Sequence, residues 1–143
     1  MVQFFTEIES FKLKQKLALK AWLNEVIRRE GYRTGNLSYI FCSDAYLLSI
    51  NQQYLQHDYF TDIITFSHQE AGKISGDLYI SVERVLENSS LYNGSYIDEL
   101  HRVMVHGVLH LCGYGDKSPA EEKKMRETED FYLKQRSNKL LGV

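Results

Sequence analysis

Apolar residues recur along this chain with a helical period in some stretches and a strand-like period in others, and polar punctuation separates them. Val2 to Ile8 alternates weakly and predicts a short strand. Ser10 introduces Phe11 to Glu30, where Leu19, Trp22, Leu23, Val26 and Ile27 fall on one face of a helix, and Gly31 suits its C-terminal cap. Lys12, Lys16 and Lys20 form a stripe at i, i+4 spacing, read here as a solvated face rather than an RNA-contacting one. Leu37 to Phe41, rich in aromatic and aliphatic residues, predicts a second strand, and Ser43 or Asp44 can cap a helix that runs to about Tyr54. Thr61 to Phe66 reads as a buried strand and Gly76 to Ser81 as the next, which together can form a hairpin.

Three helices complete the pattern. One runs from about Val82 to Leu91 and ends near Asn93-Gly94. The next, from about Tyr96 to Leu111, carries Leu100, Val103, Met104, Val108, Leu109 and Leu111 and is apolar enough to be mostly buried. The last has the clearest start: Ser118-Pro119-Ala120-Glu121 is a capping box with Pro at the first helical position. The order predicts an α+β fold in which a mixed sheet of about four strands packs against about five helices.

Composition adds limits. At 143 residues the chain fits a single domain, 1–143, and 43% hydrophobic with 25% charged residues is ordinary for a globular protein. A net charge of −2 argues against a general nucleic-acid coat protein, although a local basic patch is compatible with it. Cys42 and Cys112 are far apart in sequence and flanked by apolar residues, which suits reduced, buried thiols. No apolar run is long enough to span a bilayer and no secretory leader pattern opens the chain, so a cytoplasmic protein without a membrane partner is expected.

Candidate chemistry sits at the end of the buried helix. His106 and His110 are four residues apart and therefore share a face, one turn separating them. A Gly-Tyr-Gly turn follows and can swing Asp116 back towards them. Two imidazoles and a carboxylate leave one position open on a tetrahedral ion, the pattern of a catalytic zinc site. Because Ser118 takes the capping duty, Asp116 is free for this one; its alternative is a turn aspartate bonded to its own backbone. Gly107 interrupts the helix at a cost of ~1 kcal/mol relative to alanine, which suggests that a helix, a strand or a substrate approaches closely there.

Other candidates are weaker. Cys112 is a rival third ligand but points to another side of the helix and reads as core. His101 lies about 140° round the helix from His106 and should stay outside the site. His57 and His68, in or near loops, reach the site only by tertiary folding, with His68 in reserve. Arg102 shares the drifting stripe Asp98, Arg102, His106, His110 and can line the approach for substrate, or else pair with Asp98 on the surface. The motif is no zinc-protease His-Glu-x-x-His, since Gly107 occupies the position of the general-base glutamate.

The stretch His106-Gly-x-Leu-His110-Leu-x-Gly-Tyr114 closely resembles the signature of the YbeY family, bacterial metal-dependent endoribonucleases of ribosomal RNA maturation and ribosome quality control. Thr61-Asp-Ile-Ile-Thr-Phe66 is similar to that family's Thr-Asp-Val-Leu-Ser-Phe strand, and Gly76-Asp-Leu-Tyr-Ile-Ser81 to its Gly-Asp-Ile-x-Ile-Ser strand. Tyr54 and Asp58 fit the same region, and Met125 and Glu129 fit the spaced Met and Glu of its last helix. Together these cover about two thirds of the chain in the right order. Two positions depart from the pattern. Asp116 stands where the family carries a third histidine ligand, and Leu55 and His57 stand where it carries an arginine and a lysine.

The resemblance implies one Zn²⁺ per chain held by His106, His110 and Asp116, and a zinc-activated water. It implies hydrolysis of phosphodiester bonds in single-stranded RNA, with a role in 16S ribosomal RNA 3′-end processing. Implied partners are ribosomal RNA and the small ribosomal subunit or a ribosomal protein. Two alternatives stand beside it: a ribosome-associated assembly factor with little catalysis, and a metal-dependent hydrolase of another ester or amide.

Overall fold

Two layers of helix enclose one sheet, and the sheet's connections decide where the histidine-bearing helix must lie. The computed structural model describes residues 1–68, 70–91 and 94–141. In chain order the elements are β1 (Val2–Thr6), α1 (Lys16–Arg29), β2 (Arg33–Cys42), α2 (Asp44–Leu55), β3 (Ile63–Ser67), β4 (Lys73–Ser81), α3 (Val82–Leu91), α4 (Tyr96–Leu111), α5 (Pro119–Lys134) and α6 (Asn138–Leu141). The four strands form one mixed sheet in the order β1-β2-β4-β3, as the α+β reading expected.

β1 and β2 are parallel, β2 and β4 are parallel, and β3 turns back on β4 as an antiparallel hairpin, so β3 is an edge strand. Its first expectation as a buried strand is therefore corrected: Ile64 is buried, while Ile63, Thr65 and Phe66 are half-buried and Ser67 is exposed. A strand paired on one side only keeps part of its surface in water.

The main core fills one face of the sheet. Leu19, Leu23 and Ile27 of α1, Val85 of α3, Met104, Val108 and Leu109 of α4, and Met125 and Tyr132 of α5 pack there against Tyr39, Phe41, Leu78 and Ile80. A smaller cluster, Cys42, Leu47, Ile50 and Ile64, seats α2 on the other face. α4 is the central helix of the first layer, and the Tyr39 hydroxyl donates to Met104 O at 2.7 Å, tying it to the sheet.

Several boundaries move. The first helix starts at Lys16 rather than Phe11, because Gln15 adopts a left-handed φ of 59°. Phe11 still reaches the core, its ring 5.0 Å from that of Phe41, but as part of a non-helical segment. Lys12 consequently shares no helix face with Lys16 and Lys20. Gly31 follows α1 at φ 91°, as its capping role required. β2 and β4 extend beyond their predicted starts, to Arg33 and Lys73, where they pair with one another. Ser43 caps α2, accepting from Tyr46 N at 3.0 Å. α6 is a sixth helix that the pattern did not predict. The expected end of α3 near Asn93 lies outside the described residues.

Candidate metal centre

α4 is regular through Leu111, so its periodicity places His106 and His110 side by side, ring centroids 4.6 Å apart. The helix then stops in a Schellman arrangement: Tyr114 N donates to Leu109 O and Gly113 N to His110 O, each at 3.0 Å. Gly113 takes a φ of 105°, which a side-chain-bearing residue rarely adopts. The reversed chain is anchored by Tyr114, whose hydroxyl donates to Glu30 Oε1 at 2.8 Å at the end of α1. α5 begins with the predicted capping box, Ser118 Oγ accepting from Glu121 N and Glu121 Oε1 from Ser118 N, both at 3.1 Å.

Asp116 is thus held in a short link between two capped helices, and it turns back towards α4. Its Oδ2 lies 3.1 Å from His110 Nε2 and 3.4 Å from His106 Nε2. One donor atom from each of these residues falls within a 4.8 Å span, the one such His/Cys/Asp/Glu cluster among the described residues. All three side chains are partly exposed, so an ion and a further ligand have access. Nitrogen and oxygen donors suit zinc and also harder divalent ions.

The other nitrogen of His106 is engaged. Nδ1 lies 2.6 Å from Glu129 Oε2 on α5, and Glu129 Oε1 accepts from Arg102 Nη1 at 2.8 Å. Arg102 Nη2 donates to Asp130 Oδ1 at 2.6 Å. Burial opposes the His106 imidazolium, but Glu129, then Asp116 and Asp62, outweigh it and hold the pKa above the usual value. Burial raises the pKa of the Asp62 carboxyl. With Glu129 on Nδ1, Nε2 is the nitrogen left to face Asp116. This is the carboxylate–histidine arrangement that orients metal ligands. Glu129 is a functional candidate that ligand spacing did not reveal.

Gly107 has the close neighbour that its place in the helix suggested, and that neighbour is the sheet. A Cβ there would strike the Leu78 side chain and come within 2.8 Å of Ile63 Cδ1. The absent side chain lets β3 and β4 lie directly against the histidine-bearing helix.

The remaining candidates separate. His101 is 4% exposed, its ring 5.8 Å from that of Trp22 and its Nδ1 2.9 Å from Arg136 Nη1, outside the cluster as expected. His68 pairs with Asp77 at 2.8 Å on the far end of the hairpin. Cys112 packs on the main core, where burial pushes its thiol up to about 12. The alternative Asp98–Arg102 pair does not form: Asp98 meets Arg136 at 2.9 Å, and α5 draws Arg102 to Glu129 and Asp130.

Two depressions meet at the cluster. One, of about 330 Å³, is lined by Asp62, Arg102, His106, Asp116, Met125 and Glu129. The second, about 620 Å³, runs from His106, His110 and Asp116 along β3 to His57 and Tyr59.

Fold and cluster define an α+β domain whose buried helix delivers two histidines to a carboxylate at the mouth of a groove. The chain belongs to the family described as Endoribonuclease YbeY, whose sequence profile matches residues 3–137. The Endoribonuclease YbeY of Cytophaga hutchinsonii is 49% identical over 131 residues, 91% of this chain and 92% of that protein. That of Parabacteroides distasonis is 46% identical over 132 residues, 92% of this chain and 93% of that protein. A solution structure from Thermotoga maritima superposes with a TM-score of 0.67 at 27% identity, covering 99% of this chain and 90% of that one.

Proposed function

We propose that this chain is a metal-dependent endoribonuclease of ribosomal RNA maturation, holding one zinc ion through His106 Nε2, His110 Nε2 and Asp116 Oδ2. The observation that carries the metal assignment is the convergence of those three donors within 4.8 Å. The reaction follows from membership of the Endoribonuclease YbeY family. When bound, the ion supplies Lewis-acid polarisation of a phosphoryl oxygen and lowers the pKa of a coordinated water towards ~7.

The chain's own residues prepare that chemistry. Glu129 accepts from Nδ1–H of His106 and so leaves Nε2 facing Asp116, as the nitrogen that would hold the ion. Arg102 holds Glu129 and lines the cavity beside the cluster, where a substrate phosphate enters. Asp116 brings a negative charge that a histidine at the same place would not, which widens the range of divalent ions the site accepts. The finer assignment is a single-stranded segment of 16S ribosomal RNA near its 3′ end, met on the small ribosomal subunit in the cytoplasm. Among the described residues no helix is long and apolar enough to cross a membrane.

The test measures bound metal and cleavage of ribosomal RNA fragments for the wild type, His110→Ala and Asp116→Ala. The wild type should carry one zinc per chain and cleave, and both variants should lose metal and activity. Unchanged metal in Asp116→Ala removes that residue from the site, and unchanged metal in both variants removes the metal assignment. Intact RNA with metal restored, together with co-sedimentation on small subunits, would replace the enzyme with an assembly factor.

A further inference from the structure

We propose that the stacked rings of His57 and Tyr59, with the free edge of β3, form a subsite for unpaired nucleobases of the RNA that enters the three-donor cluster. This rests on the endoribonuclease reading, because the subsite and the cluster line one continuous groove.

The platform is pinned from inside the fold. α2 ends at Leu55, and Gln56 turns the chain with a left-handed φ of 56°. His57 N then donates to Asn51 O at 3.1 Å, and Asn51 Nδ2 donates to Tyr59 O at 2.8 Å. Asn51 is 1% exposed, so a buried side chain fixes the turn that carries both rings. The rings lie nearly parallel, 20° apart with centroids at 5.1 Å, and the Tyr59 hydroxyl is 3.0 Å from His57 Nδ1. Tyr59 is nevertheless 56% exposed. A flat aromatic surface already fixed in place loses little freedom when a base stacks on it, and every base has a face to offer.

The strand edge supplies polar groups along the same path. Ser81 N donates to Asp62 O and His68 N to Ser75 O, each at 3.0 Å. An antiparallel ladder alternates bonded and non-bonded pairs, so Thr65 and Ser67 turn their N–H and C=O groups away from β4 and towards the groove, while Ile63 O already accepts from Thr61 Oγ1 at 3.5 Å. Ile63, Thr65 and Ser67 all line it.

Charge narrows the occupant. Among the described residues the lining carries one lysine, Lys117, against the carboxylates of Asp62 and Asp116, so attraction for phosphate is weak. Binding must come from stacking and from edge hydrogen bonds. A duplex hides its base faces within its own stack and cannot use such a surface. A strand edge also suits an extended peptide, but the aromatic platform and the continuity with the three-donor cluster favour single-stranded RNA.

The experiment uses the full chain in chelator, with a fluorescein-labelled oligouridylate of about ten nucleotides, long enough to span the four or more that a stacking groove holds. Tyr59→Ala should weaken binding about tenfold or more, whereas Tyr59→Phe, which keeps the ring, should stay near wild type. A 5-iodouridine oligomer should photocross-link to His57 or Tyr59, mapped by mass spectrometry. Wild-type affinity in Tyr59→Ala, cross-links confined to other segments, equal binding of a blunt RNA duplex, or displacement by an extended threonine-rich peptide as effective as by RNA would each overturn the subsite. Zinc uptake is titrated separately on the same proteins. Loss of RNA binding in Tyr59→Ala with no zinc uptake by the wild type supports the subsite and sinks the metal assignment. Normal zinc uptake with RNA binding indifferent to Tyr59 does the reverse.

Discussion

Glu129 Oε2 lies 2.6 Å from Nδ1 of His106, so a residue of α5 determines which nitrogen of an α4 histidine meets Asp116. Glu129 is itself buried and held by Arg102 at 2.8 Å, so the orientation of the ring depends on how the two helices pack. Glu129→Ala should weaken zinc binding about 10–100-fold in a competitive chelator titration. Glu129→Gln retains an acceptor for Nδ1–H and should lose less. Equal affinity in wild type and Glu129→Ala would show that the ring holds its orientation without Glu129.

Asp116 stands between the two Nε2 atoms, at 3.1 and 3.4 Å. Asp116→His exchanges an anionic oxygen for a neutral nitrogen and makes the set all-imidazole. It should still bind one zinc while its affinity for Mn²⁺ relative to Zn²⁺ falls, since carboxylates favour the harder ion. Competition between the two metals, read by mass spectrometry, checks this.

Gly107 faces Leu78, which is fully buried, and Ile63 of the edge strand. Gly107→Ala gains ~1 kcal/mol of helix propensity but overpacks the interface by about 1–3 kcal/mol. The expected net effect in denaturant titration is a loss of about 1 kcal/mol, with β3 displaced and reduced zinc affinity. A more stable variant with wild-type metal binding would mean that Leu78 and Ile63 yield freely.

His101 gives the fold an acid-sensitive point. Burial first, and the neighbouring Arg136 second, lower its pKa to about 4, with Asp98 opposing. The unfolded chain takes up the proton near pH 6.5, the folded one only near 4, so stability is complete above 6.5 and falls as pH drops towards 4. The loss from this group is on the order of 3 kcal/mol. His101→Gln retains an acceptor for Arg136 and removes the titration. Its stability relative to wild type, followed by urea unfolding between those pH values, should improve as pH falls; a constant difference would exonerate His101.

Much of the architecture was legible because its signals are local. The cap at Ser43, the capping box at Ser118, the Gly-Tyr-Gly turn and the apolar stripe of α4 act over a few residues, and the ends they predicted are found within a residue or two. Phe11 and Leu13 show the limit. Phe11 was expected to open the first helix, but it and Leu13 meet the core, half-buried, from a non-helical segment, since hydrophobicity reports what packs inside and not the backbone that brings it there. The edge position of β3 was likewise out of reach, because strand order depends on pairing partners far along the chain.

By itself the sequence determined the α+β class, the two histidines on one helical face, and an aspartate relieved of capping by Ser118. Each of these follows from interactions within a turn or two of chain. Tertiary structure alone decided the rest. Glu129 is 23 positions from His106, and its role exists only because α5 lies across α4. The groove that joins His57 and Tyr59 to the three-donor cluster exists only because β3 closes on β4 as an edge and Gly107 lets α4 approach. Such arrangements depend on packing between distant segments, where the free energy comes from the assembled core and carries no local mark in the chain.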